Sequence, residues 1–150
     1  MTQISPFNII GISIQTSNTN GQASEDLGKL WNQFFTDQIS AKIKNKVSEE
    51  IYCIYTDYSG DYTQGYTAVL GHKVQNIDSV PVGMDGREFE GGDYLKFLAK
   101  GDMPQAVVTS WNEIWSMDKE MNRKYTADFE VYGPKSQSGS DSEVEIFIAV

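Results

Sequence analysis

The chain has 150 residues and a formal net charge of −9, and 39% of its residues are hydrophobic and 12% aromatic. This composition predicts one folded domain with a sizeable core and excludes a disordered chain. The acidic balance disfavours a phosphate backbone as a partner, so direct binding to nucleic acid is not expected. No apolar run approaches the ~20 residues of a membrane span and the start lacks a signal-peptide pattern, so no membrane contact and a cytoplasmic location are expected.

The first half of the chain predicts a strand, a helix and a hairpin. Residues 7–16 are rich in isoleucine and alternate in polarity, which indicates a strand. Ser24 is placed to cap the helix that follows a polar loop. The apolar residues of this helix repeat at helical spacing: Leu27, Leu30, Trp31 and Phe34. Two more strands, 51–58 and 66–74, are predicted to pair as a hairpin around the turn 59–65.

The second half repeats this plan. Residues 93–100 are predicted to form a strand, and Asp102 is placed to cap a second helix. The apolar stripe of that helix has the same kind of spacing: Val107, Val108, Trp111, Ile114 and Trp115. Two strands, 128–133 and 143–150, follow on either side of a polar turn segment. The predicted order is therefore β-α-β-β followed by β-α-β-β.

A short echo between the two helices supports an internal duplication. The segment LWNQFF begins at Leu30, and SWNEIW begins 80 positions later at Ser110. Together with the repeated element order, this predicts one domain made of repeat one at about 1–75, a connector at 76–92 and repeat two at about 93–150. The expected fold is α+β, with pseudo-two-fold βαββ units, antiparallel sheets and two helices. We expect each helix to cover one sheet face and the opposite faces to form a shared ligand cleft.

Three segments carry a resemblance to a known family: IYCIYTDYSGDYTQGYTAVLG, GGDYLKFLAKGDMPQAVVTSWNEIW and DFEVYGPKSQSGSDSEVEIFIAV. In their order and with the repeat, they resemble the GyrI-like, or AraC-type effector-binding, multidrug effector-binding domain family. The resemblance extends from Phe7 to Val150. It implies two βαββ units around a cleft for hydrophobic cations or drug-like molecules. The chain is expected to be a stand-alone member, since 150 residues leave no room for a DNA-binding domain.

Glu130 is an acidic residue inside an otherwise apolar strand. Alternation places Glu130 and Tyr132 on one strand face and the pair Phe129 and Val131 on the other. We expect the apolar pair to face the core under the helix, so that Glu130 faces either solvent or the cleft. The resemblance implies the cleft, because the family's pocket glutamate lies in the penultimate strand. In an apolar cleft, desolvation would raise the pKa of this carboxyl and a bound cation would oppose the rise.

Aromatic side chains are expected beside this carboxylate. The resemblance matches the family's pocket aromatics to four residues: Tyr55, Trp31, Trp111 and Phe147. The two tryptophans also lie on apolar helical stripes, so core packing and pocket lining both stay open for them. The same choice between cleft and core is open for Tyr94, at the start of the second repeat. A ring face in the cleft could hold a cation by cation–π attraction.

Other site chemistry is sparse in this sequence. Cys53 is the single cysteine and lies in an apolar run, which is typical of a buried structural residue. His72 is the single histidine, so a metal site of paired histidines or cysteines is excluded by count, and no nucleophile-elbow motif occurs. No metal and no cofactor are therefore expected.

These observations predict a domain that binds amphipathic or cationic small molecules through Glu130 and aromatic side chains. One alternative, also implied by the resemblance, is a hydrolase of strained, cyclopropane-bearing compounds, in which Glu130 and Tyr55 would direct a water. A second alternative is a regulator or a gyrase-inhibitor-like protein that binds a protein partner through an exposed patch.

Overall fold

A computed structural model describes residues 1–150, and it shows one curled antiparallel sheet of eight strands with helices. The strands are β1 (Thr2–Ile4), β2 (Phe7–Ser17), β3 (Ile51–Thr56), β4 (Gly65–Val74), β5 (Asp85–Phe89), β6 (Gly92–Lys100), β7 (Ala127–Tyr132) and β8 (Glu143–Ala149). The helices are α1 (Gln22–Thr36), α2 (Ile39–Lys42), α3 (Gln105–Ser116) and α4 (Asp118–Met121). None of them is long and apolar enough to cross a membrane.

The sheet confirms the predicted pseudo-two-fold arrangement of two βαββ units. Its strand order is β1-β6-β8-β7-β3-β4-β2-β5, so β6-β8-β7 of the second unit mirrors β2-β4-β3 of the first. The units meet where β3 pairs antiparallel with β7, with Cys53 opposite Glu130. A two-fold axis through that pair exchanges Tyr55 with Tyr132, because each lies two residues beyond its member of the pair. Glu130 therefore occupies the position that Cys53 has in the first unit.

Both long helices pack on the same face of this sheet. Leu30 and Phe34 of α1 share a buried cluster with Cys53 of β3. Trp111 and its neighbours on α3 share another cluster with Ile146 of β8. The pairing of Cys53 with Glu130, and of Glu130 with Ile146, puts these contacts on one face. A cleft between α1 and α3 lies on this face, whereas the sequence interpretation placed it on the faces without helices.

The opposite face of the sheet carries its own apolar cluster. Phe129 and Val131 of β7 lie there, buried against side chains from several strands that include Phe7 and Ile54. The expectation that Phe129 and Val131 face the core under a helix is therefore wrong. Phe129 and Val131 do share one strand face, as alternation predicts, but the curled sheet buries apolar side chains on both faces. An apolar pair therefore does not identify the helix side.

Helix starts and sheet edges differ locally from the predictions. Helix α1 begins two residues before Ser24, after Gly21 in a left-handed conformation with φ of 72°, and no side chain caps it. Helix α3 begins at Gln105 without a side-chain cap, so the predicted cap at Asp102 does not form. The predicted connector 76–92 contains β5, which covers the edge of β2, while β1 covers β6. Both edge strands are short and mostly polar, so they lack the apolar alternation that reveals a strand.

Candidate functional site

A buried carboxylate lies at the seam between the two units. Glu130 is only 1% exposed, so it is not a surface residue. Its Oε2 accepts hydrogen bonds from Trp111 Nε1 at 2.6 Å and from Tyr55 Oη at 2.9 Å. Its Oε1 accepts one from Tyr132 Oη at 2.6 Å. All three partners are neutral donors, so they satisfy acceptors of the carboxylate without neutralising its charge.

The donors are placed by the duplicated architecture. Trp111 packs edge-on against Tyr55, with ring centroids 5.5 Å apart and planes at 89°. Trp31 packs edge-on against Tyr132, with centroids 4.9 Å apart and planes at 75°. Each tryptophan thus contacts the tyrosine of the other unit, as the two-fold exchange of the tyrosines requires. Edge-to-face contacts of this kind stabilise the packing of the rings more than the burial of their surface alone would.

Burial governs the protonation of this group. Desolvation raises the pKa of Glu130 above its ordinary value of 4.5, although the hydrogen bonds from Tyr132, Trp111 and Tyr55 oppose the rise. Burial and the neighbouring carboxylate raise the pKa of Tyr132 well above the usual tyrosine value. Tyr132 therefore keeps its proton at neutral pH and acts as a donor.

A cleft of about 840 Å³ opens between α1 and the start of α3. Its walls combine apolar and polar residues: Trp31, Phe35, Ser48, Glu49, Glu50, Ile51, Met103, Pro104, Val107, Tyr132, Gly133, Pro134, Ser136 and Gln137. Two of these residues are acidic and none is basic. Tyr132 is the member of the lining that also donates to Glu130, and Glu130 itself lies behind it. The cleft is therefore an open, partly aromatic space with a buried carboxyl group beneath its wall.

The structure brings together four of the six predicted site residues. Glu130, Tyr55 and Trp111 are in direct contact, and Trp31 joins them by packing on Tyr132. Both tryptophans contribute to core packing as well as to this site, so the two alternatives for them are not exclusive. Trp111 is buried, whereas Trp31 is half-buried and faces the cleft.

The structure does not bring Phe147 and Tyr94 to this site, which corrects the predicted grouping. Phe147 pairs with Phe129 and therefore lies on the sheet face opposite Glu130, where it lines a separate cavity of about 120 Å³. Tyr94 is buried in the cluster of that same face, and its hydroxyl donates to the carbonyl oxygen of Ala127 at 2.9 Å. Placing these two side chains required the strand register, which residue spacing does not provide.

Tyr132 is the site residue that the sequence interpretation missed. Its position two residues after Glu130 already placed it on the same strand face, so the signal was present. Tyr58 and Tyr62, in the loop between β3 and β4, have other partners. Tyr58 donates to Asp128 at 2.6 Å, and Tyr62 stacks on Trp115 with planes only 7° apart.

Asp128, which lies two residues before Glu130 on β7, belongs to a buried ion pair with Arg123. Arg123 Nη2 donates to Asp128 Oδ2 at 2.7 Å, and the two side chains are 1% and 0% exposed. The backbone N–H of Ala149 and the Tyr58 hydroxyl also donate to this carboxylate. Asp128 is thus neutralised inside the protein, in contrast to Glu130. Of two acidic groups on one strand face, only Glu130 has no cationic partner.

The remaining reactive residues are held in structural contacts. Cys53 is fully buried, and burial raises the pKa of its thiol, which disfavours the reactive thiolate. His72 is buried between Ser40 Oγ at 2.6 Å and the Glu50 carbonyl at 2.8 Å, and burial lowers its pKa. No cluster of three or more His, Cys, Asp or Glu side chains is arranged to hold a metal ion.

The fold is a curled antiparallel sheet with two helices on one face and a cleft between them. The chain matches the Cass2 family model, described as integron-associated effector binding protein, over residues 1–150, and it belongs to that family. The resemblance to the GyrI-like effector-binding domain family is thereby confirmed.

Relatives of known sequence or structure agree with this assignment. YobU of Bacillus subtilis (strain 168), provisionally named a transcriptional regulator, is 27% identical over 143 residues, which cover 93% of this chain and 89% of YobU. The crystal structure of the integron cassette protein VCH_CASS2 from Vibrio cholerae has a TM-score of 0.79 and 28% identity, covering 99% of this chain and 93% of that one. The structure of SAV2435 bound to tetraphenylphosphonium has a TM-score of 0.80 and 16% identity, and the match covers 98% of this chain and 90% of SAV2435. It shows the same fold.

Proposed function

We propose that this protein binds amphipathic or cationic small molecules in the cleft between α1 and α3, and that Glu130 makes the cleft selective for cations. The observation that carries the proposal is the buried carboxylate with three neutral donors and no charge partner. Burying an uncompensated charge is costly. A cation in the adjacent cleft would recover part of that cost, because the two charges attract strongly across a poorly solvated wall.

The aromatic wall supplies the second half of recognition. Tyr132 and Trp31 line the cleft together, and a cation against a ring face gains ~0.5–2 kcal/mol. The hydroxyl of Tyr132 donates to Glu130, and this polarisation adds negative charge to the ring that the ligand meets. Glu49 and Glu50 in the lining add attraction for a positively charged ligand.

Relatives support this proposal. SAV2435 was solved with tetraphenylphosphonium, a lipophilic cation, and this chain shares its fold. YobU is named as a transcriptional regulator, which is consistent with a domain in which ligand binding changes the interaction with a protein partner. We therefore extend cation binding, and not a particular natural ligand, to this chain.

The geometry favours binding over the hydrolase alternative. A hydrolase would use Glu130 and Tyr55 to direct a water onto a bound substrate. Neither residue lines the cleft, and Tyr55 donates to the oxygen that Trp111 also holds. A water-activating carboxylate must reach both its water and its substrate, and the wall formed by Tyr132 separates Glu130 from the cleft.

A lipophilic cation is expected to bind at least about tenfold more tightly than its neutral isostere. Opposite charges ~6–7 Å apart attract by ~2–3 kcal/mol at an effective dielectric constant of ~20, which exceeds the ~1.4 kcal/mol that this ratio needs. The matched probes are para-phenylbenzyltrimethylammonium and the hydrocarbon in which carbon replaces the nitrogen. Quenching of tryptophan fluorescence reports binding, because Trp31 lines the cleft. Equal affinities would leave only an apolar cleft and would contradict the charge role.

Cation affinity is expected to rise with pH through the raised pKa of Glu130. Below that pKa the carboxyl is protonated and offers no charge, whereas above it the ionised form attracts the cation. The neutral isostere should bind with the same affinity across the acidic range. Titrations at several pH values between the ordinary carboxyl value of 4.5 and neutrality test this. If the affinity for the cation does not change with pH, the charge of Glu130 does not contribute to binding.

A further inference from the structure

We propose that the cavity of about 120 Å³ on the sheet face without helices is a second small-molecule site, which takes a monocyclic phenol. This cavity lies on the opposite side of the sheet from α1 and α3, so the inference does not rest on the function proposed for the cleft between those helices. It follows from the size of the cavity, the aromatic rings that line it and two unpaired charges beside them.

Three phenylalanines supply the apolar part of the cavity. Phe129 stacks on Phe147 with ring centroids 4.9 Å apart, and Phe7 packs edge-on against Phe129 with centroids 5.4 Å apart. Aromatic rings favour stacked and edge-to-face contacts with a further ring. An apolar cavity of ~150 Å³ holds one benzene molecule. The volume of about 120 Å³ therefore suits a single six-membered ring and excludes larger polycyclic ligands.

The same lining carries charges of both signs. Lys73, Glu50 and Glu145 are partly buried side chains of this cavity. Glu145 pairs with Lys96, whereas Lys73 and Glu50 take part in none of the ion pairs of the structure. The Lys73 ammonium lies 5.9 Å from the centroid of the Phe7 ring, and the Glu50 carboxylate accepts only from Ser48 Oγ, at 3.3 Å. An ammonium and a carboxylate therefore line one cavity without pairing with each other.

A phenol hydroxyl is the group that suits both charges at once. Its oxygen can accept a hydrogen bond from the Lys73 ammonium while its O–H donates to the Glu50 carboxylate. Hydrogen bonds to charged groups are stronger than those between neutral groups. A carboxylate on the ligand would be repelled by Glu50 and Glu145, and an ammonium group would be repelled by Lys73. The lining therefore favours a neutral ring with one hydroxyl over either ion.

Tyr52 indicates which protonation state a phenol has in this cavity. Its own phenol ring lines the cavity, and it lies opposite Val131, which in turn lies opposite Glu145. Burial raises the pKa of Tyr52 to about 12, and the carboxylates of Glu50 and Glu145 add to the rise. A bound phenol would experience the same burial and the same carboxylates. It therefore keeps its proton at neutral pH and remains a donor.

The test titrates the folded protein with phenol and with toluene, in which a methyl group replaces the hydroxyl, and measures both affinities by NMR. Phenol is expected to bind about tenfold more tightly, because it gains hydrogen bonds to two charged groups. Intermolecular NOEs to the ring protons of Phe7 and Phe147 should locate it. Lys73→Met is expected to reduce the preference for phenol over toluene about threefold or more. Lys29→Met, which alters an exposed lysine of α1, is the matched control and should leave the preference unchanged.

Each other result would overturn the inference in a different way. NOEs to Trp31 without NOEs to Phe7 or Phe147 would place phenol in the cleft between α1 and α3. Equal affinities for phenol and toluene would mean that the charged groups do not recognise the ligand. Tighter binding of benzoate or benzylammonium than of phenol would contradict the choice of a neutral ligand, and no binding of phenol up to its solubility limit would exclude the site. Each preference is a ratio measured within one protein, so a loss of stability in a variant does not affect it.

Discussion

Replacing Glu130 with glutamine is expected to lower the affinity for para-phenylbenzyltrimethylammonium by tens-fold or more and to leave the neutral isostere unaffected. The substitution removes the charge but keeps the shape. Opposite charges ~6–7 Å apart, with the Tyr132 ring between them, attract by ~2–3 kcal/mol at an effective dielectric constant of ~20, and ~1.4 kcal/mol is a factor of ten. Glutamine can also keep the contacts, since its oxygen can accept from Trp111 and Tyr55 while its amide donates to the Tyr132 hydroxyl.

The same variant is expected to be as stable as the unmodified protein at neutral pH, or more stable. The pKa of Glu130 is raised in the folded state, so the folded protein binds its proton more tightly than the unfolded chain. The stability from this group is therefore fully present below the ordinary value of 4.5 and is lost as pH rises through the folded pKa. Glutamine does not ionise, so the variant does not lose stability in this way as the pH rises. Thermal melts across this range should show a variant whose stability falls less with rising pH.

An exposed strand glutamate supplies the control for both measurements. Glu88 lies on β5 and is exposed, so Glu88→Gln should change stability by no more than ~0.5 kcal/mol and leave cation affinity unchanged. If Glu130→Gln behaves like Glu88→Gln in the binding titration, the carboxylate does not take part in ligand recognition.

Replacing Arg123 with methionine is expected to destabilise the protein by about 3–5 kcal/mol, because it leaves a buried carboxylate without its cation. The side chains of Arg123 and Asp128 are 1% and 0% exposed, and their charged groups are 2.7 Å apart. The double variant Arg123→Met with Asp128→Asn should recover part of the loss, since the unpaired charge is then absent. Denaturant unfolding of the single and double variants measures both effects.

An exposed ion pair provides the comparison for Arg123. Arg87 donates to Asp57 at the same 2.7 Å, but these side chains are 31% and 50% exposed. Arg87→Met should therefore cost at most about 1 kcal/mol. Equal costs for Arg87→Met and Arg123→Met would mean that burial does not govern the strength of these pairs, and the contrast between Asp128 and Glu130 would lose its basis.

Element order could be predicted from the sequence because its signals are local, whereas the residues alone left Glu130 facing either solvent or the cleft. Isoleucine-rich alternation marks β2, and the helical spacing of Trp31 and Trp111 marks the two long helices. The echo around those tryptophans reflects a real equivalence, since each packs edge-on against a tyrosine of the other unit. The glutamate inside an apolar strand is an anomaly that the sequence shows directly. In the structure Glu130 is buried and accepts three hydrogen bonds.

The packing of faces could not be predicted, because it depends on pairing between distant strands. Glu130 and Phe129 are neighbours in sequence but lie on opposite faces, and both faces of the curled sheet are buried. The sequence pattern therefore could not tell which face carries the helices. The resemblance placed Phe147 with Glu130, although its partner across β7 and β8 is Phe129.

The central claim is that a cation in the cleft interacts with the ionised form of Glu130. The most direct measurement is a pH titration of the Glu130 carboxyl carbon by NMR, with its signal assigned by comparison with Glu130→Gln. The titration is performed on the free protein and at saturation with para-phenylbenzyltrimethylammonium. We predict that the pKa of Glu130 lies above 4.5 in the free protein, because the group is buried, and falls when the cation binds, because the cation stabilises the carboxylate. The same pKa in both titrations would contradict the account.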